Sequence, residues 1–314
     1  MKEFLTAAVF VATTMGMTSC GGSTESGGAD GGNQSKKVRA ASSGDDKIST
    51  DKEIQRMEHA TREAFADRDF PKTRRLVRDG LKLVEKADSG TDLQRAWFLL
   101  ALGNVEREEG REAEARHKFT DAMAIFHVHK NARGRCETFL AVGQLEARRG
   151  DYANAARQYA SAEALLPEIK DRSLPGKLKL QTGRLATRQV RHEEARSDFL
   201  EAIKAFEAAK DKRSAAETFL LLATEEDALG HGKACHNRLD RALSIFRDIE
   251  DLDGQARALH RLAALAERDK KYQRARKLLQ KVLSLYEKLE RTTSAIAMKQ
   301  HINALPEKKK KKKK

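Results

Sequence analysis

The chain has only four prolines, three cysteines and one tryptophan in 314 residues. So few prolines leave long stretches in which nothing forces a helix to stop. Three cysteines do not make a disulfide framework, and Cys136 and Cys235, which lie 99 residues apart, read as two inert thiols. The apolar run from Phe4 to Met17 is shorter than the roughly 20 residues a bilayer-spanning helix needs. No phosphate loop, G-x-S-x-G or H-E-x-x-H pattern occurs. His127 and His129 form the only close histidine pair with metal-like appeal. Neither a cysteine nor a paired acid stands nearby at ligand spacing, so they read as surface residues, and His231 and His236 are likewise unpartnered. The expectation is a chain with no catalytic residues, no metal site and no cofactor.

What is present is charge and helix-forming residues. Charged side chains make up 34% of the chain, with a formal net charge of +14. The abundance of Ala, Leu, Arg, Lys and Glu points to helix. Acids alternate with Arg and Lys, as on solvated helix faces.

A spacing frame then organises the sequence. Gly103, Gly110 and Ala115 return forty residues later as Gly143, Gly150 and Ala155. They return again as Gly183, Val190, Ala195, then Ala223, Gly230, Cys235, then Ala263, Lys270, Ala275. Self-similarity at such a period is the signature of stacked repeats. Each second helix carries a small-large-small row on one face: Ala115/Phe119/Ala122, Ala155/Tyr159/Ala162, Ala195/Phe199/Ala202, Cys235/Leu239/Ala242 and Ala275/Leu279/Val282. Small residues let helix axes approach, and the aromatic or Leu fills the space between them. Asn131, Asp171, Asp211 and Asp251 stand at the junctions between repeats, where Asn and Asp suit caps and turns. A first, degenerate copy carries Thr61, Asp69, Phe70, Thr73, Val77 and Gly80, two residues out of step with the rest. In the last half-repeat Lys299 and Asn303 replace apolar or small residues, which gives the polar outer face of a capping helix, and Pro306 ends it.

Leu102-Gly103-Asn104 and Gly150-Asp151-Tyr152, with Ala twelve residues after the small position, an aromatic or Leu four later and Ala three later again, resemble the tetratricopeptide repeat (TPR). The forty-residue period resembles the long-repeat subclass of Pins/LGN-type scaffolds, kinesin light chains and MalT-type regulators. The resemblance implies an all-α, right-handed α-solenoid of about six helix-turn-helix repeats plus a C-terminal cap. Repeats are expected at about 48–90, 91–130, 131–170, 171–210, 211–250 and 251–290, with the cap at 291–305. It also implies that the first helix of each repeat lines a concave face. The inward slots then hold Asn104, Arg107 and Glu108, then Gln144 and Arg148, then Arg184 and Arg188, followed by Thr224 and Asp227, and Glu267 and Arg268. Arg148, Arg184 and Arg188 make a basic centre suited to bidentate carboxylate recognition, and so to an acidic or C-terminal peptide segment. The plain alternative is a set of solvated arginines. Trp97 either faces the groove or is a packing residue of the first helix, and packing is the expectation. The family's two-carboxylate clamp is not reproduced: Asn104 and Lys177 match two of five slots, and Leu100, Ala141 and Gln181 replace the others.

The ends carry separate signals. Lys2, the short apolar run and Met17-Thr18-Ser19-Cys20 resemble a bacterial lipoprotein signal, with Met17 in place of the usual Leu and Glu3 offsetting Lys2. The resemblance implies cleavage after residue 19, a lipidated Cys20, and, with Gly21 rather than Asp next, the outer membrane. An ordinary secretory signal is the alternative. Residues 20–47 are rich in Gly and Ser, hold four acids and four bases and show no apolar period, as a flexible tether does. Lys308 to Lys314 is an unbroken lysine run, within a tail at 306–314, whose seven charges equal half of the net charge of +14. It suits an anionic lipid or polymer surface by counterion release, and nucleic acid is not expected outside the cytoplasm. The expectation is a lipid-anchored envelope protein that scaffolds protein contacts through a TPR domain at 48–305, facing the periplasm or the cell surface. The second expectation is an envelope-anchoring protein whose lysine tail holds an anionic polymer.

Overall fold

The computed structural model describes residues 50–87 and 90–306. The 1–19 segment, Cys20, the 20–47 segment and the lysine run from Lys308 to Lys314 lie outside the described residues. The described residues form thirteen α-helices and no strand. α1 covers 50–66, followed by α2 (Phe70–Lys86), α3 (Asp92–Glu108), α4 (Glu112–Val128), α5 (Ala132–Arg148), α6 (Tyr152–Glu163) and α7 (Leu174–Arg188). Then come α8 (His192–Ala208), α9 (Lys212–Ala228), α10 (Gly232–Asp248), α11 (Leu252–Arg268), α12 (Tyr272–Lys288) and α13 (Thr292–Ala304). Each helix packs on the next. First helices of successive repeats also touch, α3 with α5, α5 with α7 and α9 with α11, so the odd-numbered helices form the inner, closer-packed wall of a curved stack. Asp67, after α1, comes within 3.9 Å of Arg213 at the start of α9, four repeats along, so the solenoid curls tightly. The fold is an all-α solenoid of six helix pairs closed by α13.

The small-large frame accounts for the packing within a repeat. A Cβ added to Gly103 would lie 2.6 Å from the Phe119 ring, one on Gly183 2.6 Å from Phe199 and one on Gly143 2.4 Å from Tyr159. Where the large partner is the smaller Leu239 or Leu279, the facing slot holds Ala223 or Ala263. Phe119, Phe199, Leu239 and Leu279 are all at most 1% exposed, and each such side chain contributes about 2 kcal/mol of apolar burial.

The turns are equally regular. Asn131, Asp151, Asp211 and Asp251 cap their helices by accepting from Gly134, Asn154, Ser214 and Gly254 N–H at 2.7–3.0 Å. Asp171 differs: it holds the Ser173 amide and hydroxyl ahead of α7, and no side chain caps that helix. Gly110, Gly150 and Gly230 adopt φ of +77° to +83°, and Val190 and Lys270, which replace Gly in the same slot, are forced to φ 60° and 59°. At the far end Arg276 donates to the Ile302 and Leu305 carbonyls, satisfying the exposed C-terminus of α13. α13 buries Ala295, Met298 and Ile302 and turns Lys299 and Asn303 to solvent.

Between repeats runs a ladder of buried carboxylates. Glu106, Glu146 and Glu226 occupy one slot of α3, α5 and α9, each at most 6% exposed. Each receives an Arg from the preceding helix: Arg74 at 2.7 Å, Arg116 at 2.7 Å and Arg196 at 3.2 Å. The turn that follows supplies a second partner, Arg111 for Glu106 and His231 for Glu226. The matching slots of α7 and α11 are Ala186 and Ala266, so the ladder lacks a rung between the third and fourth repeats and another between the fifth and sixth. At the first of these gaps α6 stops at Glu163, and a 3₁₀ turn, Leu166–Glu168, stands where the other second helices continue.

Candidate functional site

The inner wall carries charge unevenly. Among the first helices α1, α3, α5, α7, α9 and α11, only α7 has no carboxylate, while it holds Lys177, Lys179, Arg184 and Arg188. Lys179 is neutralised by Glu201 at 3.0 Å and Asp198 at 3.9 Å. The side chains of Lys177, Arg184 and Arg188 make no hydrogen bond or ion pair among the described residues. The repeat register explains Arg188. Its counterparts reach one repeat back to an acid: Arg148 to Glu108 at 3.4 Å and Arg268 to Asp227 at 2.7 Å. One repeat back from Arg188 stands Arg148 itself, so no acid is available.

These groups influence one another electrostatically. Desolvation by the groove walls lowers the pKa of Arg184 although its side chain is exposed; Glu217 opposes this and Arg188 adds to it. Burial pushes the Tyr159 hydroxyl up to about 12, against the pull of Arg188, Arg107 and Arg184. The Tyr159 ring is 3% exposed and packs against Gly143, with its hydroxyl within electrostatic range of these three guanidinium groups. It remains protonated and neutral at physiological pH.

Of the sequence-predicted residues, Arg184 and Arg188 are exposed and free. Arg148 is exposed but tied to Glu108 and to the Arg107 carbonyl. Arg107 corrects the expectation: it is 5% exposed, with its guanidinium on Glu108 at 3.1 Å and on the Ala141 carbonyl at 3.5 Å. It therefore joins α3 to α5 instead of presenting charge to the groove. Asn104 and Gln144 are half-buried and make no side-chain hydrogen bond among the described residues. Thr224 accepts from Arg261 at 2.6 Å, and Glu267 meets His301 at 3.1 Å, so neither is free. His129 stands 3.4 Å from Asp92 at the end of α4. Cys136 and Cys235 are buried free thiols, each pushed up to about 11 by burial.

Trp97 combines the two expected roles. Its ring packs edge-on against Phe126 at 4.8 Å, yet it also lines a cavity of about 330 Å³ opening on the inner wall. Phe65, Phe98, Leu100 and Ala101 make the rest of its apolar lining, and Asn104 and Lys177 lie at its margin. Arg62 and Arg133 sit 5.7 and 5.6 Å from the Trp97 ring centroid. Arg62 pairs with Glu58 at 3.6 Å, and Arg133 with Glu137 at 3.2 Å and Asp171 at 3.1 Å, so Lys177 is the uncompensated charge at the cavity. The signal was present in the register: Trp97 shares its slot with Glu137, Lys177, Glu217 and Arg257, all groove-lining. A second cavity, about 210 Å³, lies between Arg184, Glu217, Arg257, His260 and Tyr286.

No protein-family model matches the sequence, and no curated protein matches it. Solved structures do. A STAND signal-transduction ATPase with a tetratricopeptide repeat sensor from Pyrococcus horikoshii superposes with a TM-score of 0.64 at 13% identity, over 79% of this chain and 37% of that one. This chain thus spans just over a third of that protein. A Rap protein complexed with Competence and Sporulation Factor gives 0.60 at 14% identity, over 78% of this chain and 72% of that one. The Rap conjugation gene regulator of plasmid pLS20, in complex with the Phr* peptide, gives 0.60 at 16% identity, over 80% and 74%. Identities this low speak to the fold alone, and the fold of this chain is a TPR-like α-solenoid.

Proposed function

We propose that the solenoid is a protein-interaction module without catalytic activity, and that its inner wall binds an acidic, extended peptide segment of a partner along α7. The observation that carries this is the unpaired state of the Arg184 and Arg188 side chains, where the third and sixth repeats neutralise the arginine equivalent to Arg188. Unpaired guanidinium groups in a partly desolvated groove offer charge-assisted, bidentate hydrogen bonds to carboxylates. The two Rap complexes, one with Competence and Sporulation Factor and one with the Phr* peptide, support a peptide reading for this type of solenoid. The forty-residue period supports the long-repeat subclass.

The test is a double charge reversal, Arg184→Glu with Arg188→Glu, followed by cross-linking in intact cells. Arg148 is left alone because reversing it places two acids side by side with Glu108. Loss of captured partners from a protein with unchanged circular dichroism is expected; an unchanged set of partners overturns the reading.

We further propose that the module is held in the bacterial envelope by lipid on Cys20, at the outer membrane, facing the periplasm or the cell surface. The motif Met17-Thr18-Ser19-Cys20 followed by the Gly/Ser-rich 20–47 segment supports this. Labelling with a fatty-acid probe should mark the wild type and not Cys20→Ala; equal labelling of the two overturns it. An anchoring role for the seven-lysine run on an anionic lipid or polymer is the second reading, and binding that survives high salt contradicts it.

A further inference from the structure

The peptide reading leaves open what fixes the register of a bound segment, since a basic stripe alone holds acids loosely. The Trp97 cavity supplies a fixed point. Its aromatic and aliphatic lining asks for an apolar group, and its one uncompensated charge among the described residues, Lys177, begins the α7 stripe. Arg184 and Arg188 follow Lys177 by seven and eleven residues. At 100° per residue both lie within about 20° of the Lys177 direction, and at 1.5 Å rise they stand about 10 and 16 Å further along α7. An extended peptide advances about 3.3 Å per residue, so these distances correspond to about three and five residues.

We infer that the Trp97 cavity is an anchor subsite for one large apolar side chain of the partner peptide, Phe or Leu in class, with acidic residues three and five positions away on Arg184 and Arg188. This rests on the α7 reading above and sharpens it into a sequence rule. The cavity volume, about 330 Å³, holds one such side chain with room for its backbone and is small for a larger ligand. Charge complementarity favours an occupant whose flanking residues are acidic, because the acids at the cavity, Glu58 and Glu137, are already paired with Arg62 and Arg133. A basic or neutral peptide leaves three cations of α7 unanswered.

Trp97 is the only tryptophan in the chain, so its fluorescence reports the cavity directly. The probes are acetyl-Phe-Ser-Gly-Asp-Ser-Asp-amide, the same sequence reversed, and a version of each with Ser in place of Phe. The full chain is titrated with selective excitation of Trp97, and binding is measured in parallel by calorimetry. Expected is a saturable change in Trp97 emission with at least one Phe-containing probe, and roughly tenfold or greater weakening when Phe becomes Ser. Ala101→Phe, which fills the cavity, should remove the advantage of the Phe probe; Asn104→Leu, at the cavity margin, serves if that variant does not fold. Equal affinity for the Phe and Ser probes overturns the anchor while leaving the α7 reading standing. So does calorimetric binding that leaves Trp97 emission unmoved. Wild-type affinity in Arg184→Glu/Arg188→Glu, with the Phe advantage intact, overturns the α7 reading instead. Absence of binding by all probes at millimolar concentration overturns both.

Discussion

Gly143 and Tyr159 are matched in size: the hydrogen of one leaves the space that the ring of the other occupies, and a Cβ there would lie 2.4 Å from Cε1. The chain repeats the match with different pairs, Gly with Phe or Tyr and Ala with Leu. Gly143→Ala should therefore destabilise the protein by roughly 1–3 kcal/mol through overpacking, even though Ala favours helix. The double variant Gly143→Ala/Tyr159→Leu copies the Ala223/Leu239 arrangement and should recover part of that loss. Urea denaturation of the four proteins of this cycle measures the coupling. Additive losses would mean the two positions do not share one space.

Val190 makes the opposite kind of misfit. It is β-branched, 71% exposed and held at φ 60°, in a slot that Gly110, Gly150 and Gly230 fill without steric cost. Val190→Gly should raise stability by about 1 kcal/mol, seen as a higher thermal midpoint with unchanged helix content. The reverse change, Gly150→Val, should lower it by a comparable amount.

The architecture was legible in the sequence because stacking repeats must repeat their spacing. Gly103, Ala115, Phe119 and Ala122 lie in one register because each makes the same contact in every copy. The polar cap at Lys299 and Asn303 was legible for a similar reason, since nothing stacks on it. The groove was only half legible. Register places Arg148 and Arg188 in the same inward slot, yet one is tied to an acid and the other is free. That difference depends on which side chains stand forty residues away: Glu108 sits below Arg148, but Arg148 sits below Arg188. The carboxylate ladder was also missed, because Glu106, Glu146 and Glu226 look like any other surface acids until the preceding helix brings an Arg to each.

That ladder makes stability depend on acid pH. Burial alone raises the pKa of Glu226, but hydrogen bonds from His231 and Arg196 outweigh it and the net shift is downward. Glu106 behaves likewise with Arg74 and Arg111. A carboxylate lowered in the folded state contributes stability that is complete above its unfolded value, near 4.5, and is lost as pH falls through the lower folded value. Thermal midpoints should therefore fall steeply below about pH 4.5. Glu226→Gln should cost roughly 1–3 kcal/mol at neutral pH and flatten that acid limb. A limb as steep as in the wild type would assign the acid sensitivity to other groups.

Two joints lack a rung of the ladder, at Ala186 and at Ala266, and the first of them is the weakest joint. Between the third and fourth repeats α6 ends at Glu163, Asp171 holds Ser173 rather than capping a helix, and Ala186 replaces the buried acid. Ala156 stands thirty residues before Ala186, where Arg116 and Arg196 stand before Glu146 and Glu226. Backbone amides at 164–173 have few helical partners, so their hydrogen exchange should be the fastest of the inter-repeat junctions from α2 onward. Ala186→Glu alone should destabilise by roughly 3 kcal/mol or more, because it buries an unpaired charge. Ala156→Arg with Ala186→Glu supplies the missing rung, with Arg191 placed as Arg111 is for Glu106, and should recover most of that loss while slowing exchange at 164–173. The same joint carries Arg184 and Arg188 on its inner face, so a peptide bound there should slow exchange at 164–173 in the wild type. Protection confined to other repeats would separate the joint from the binding face.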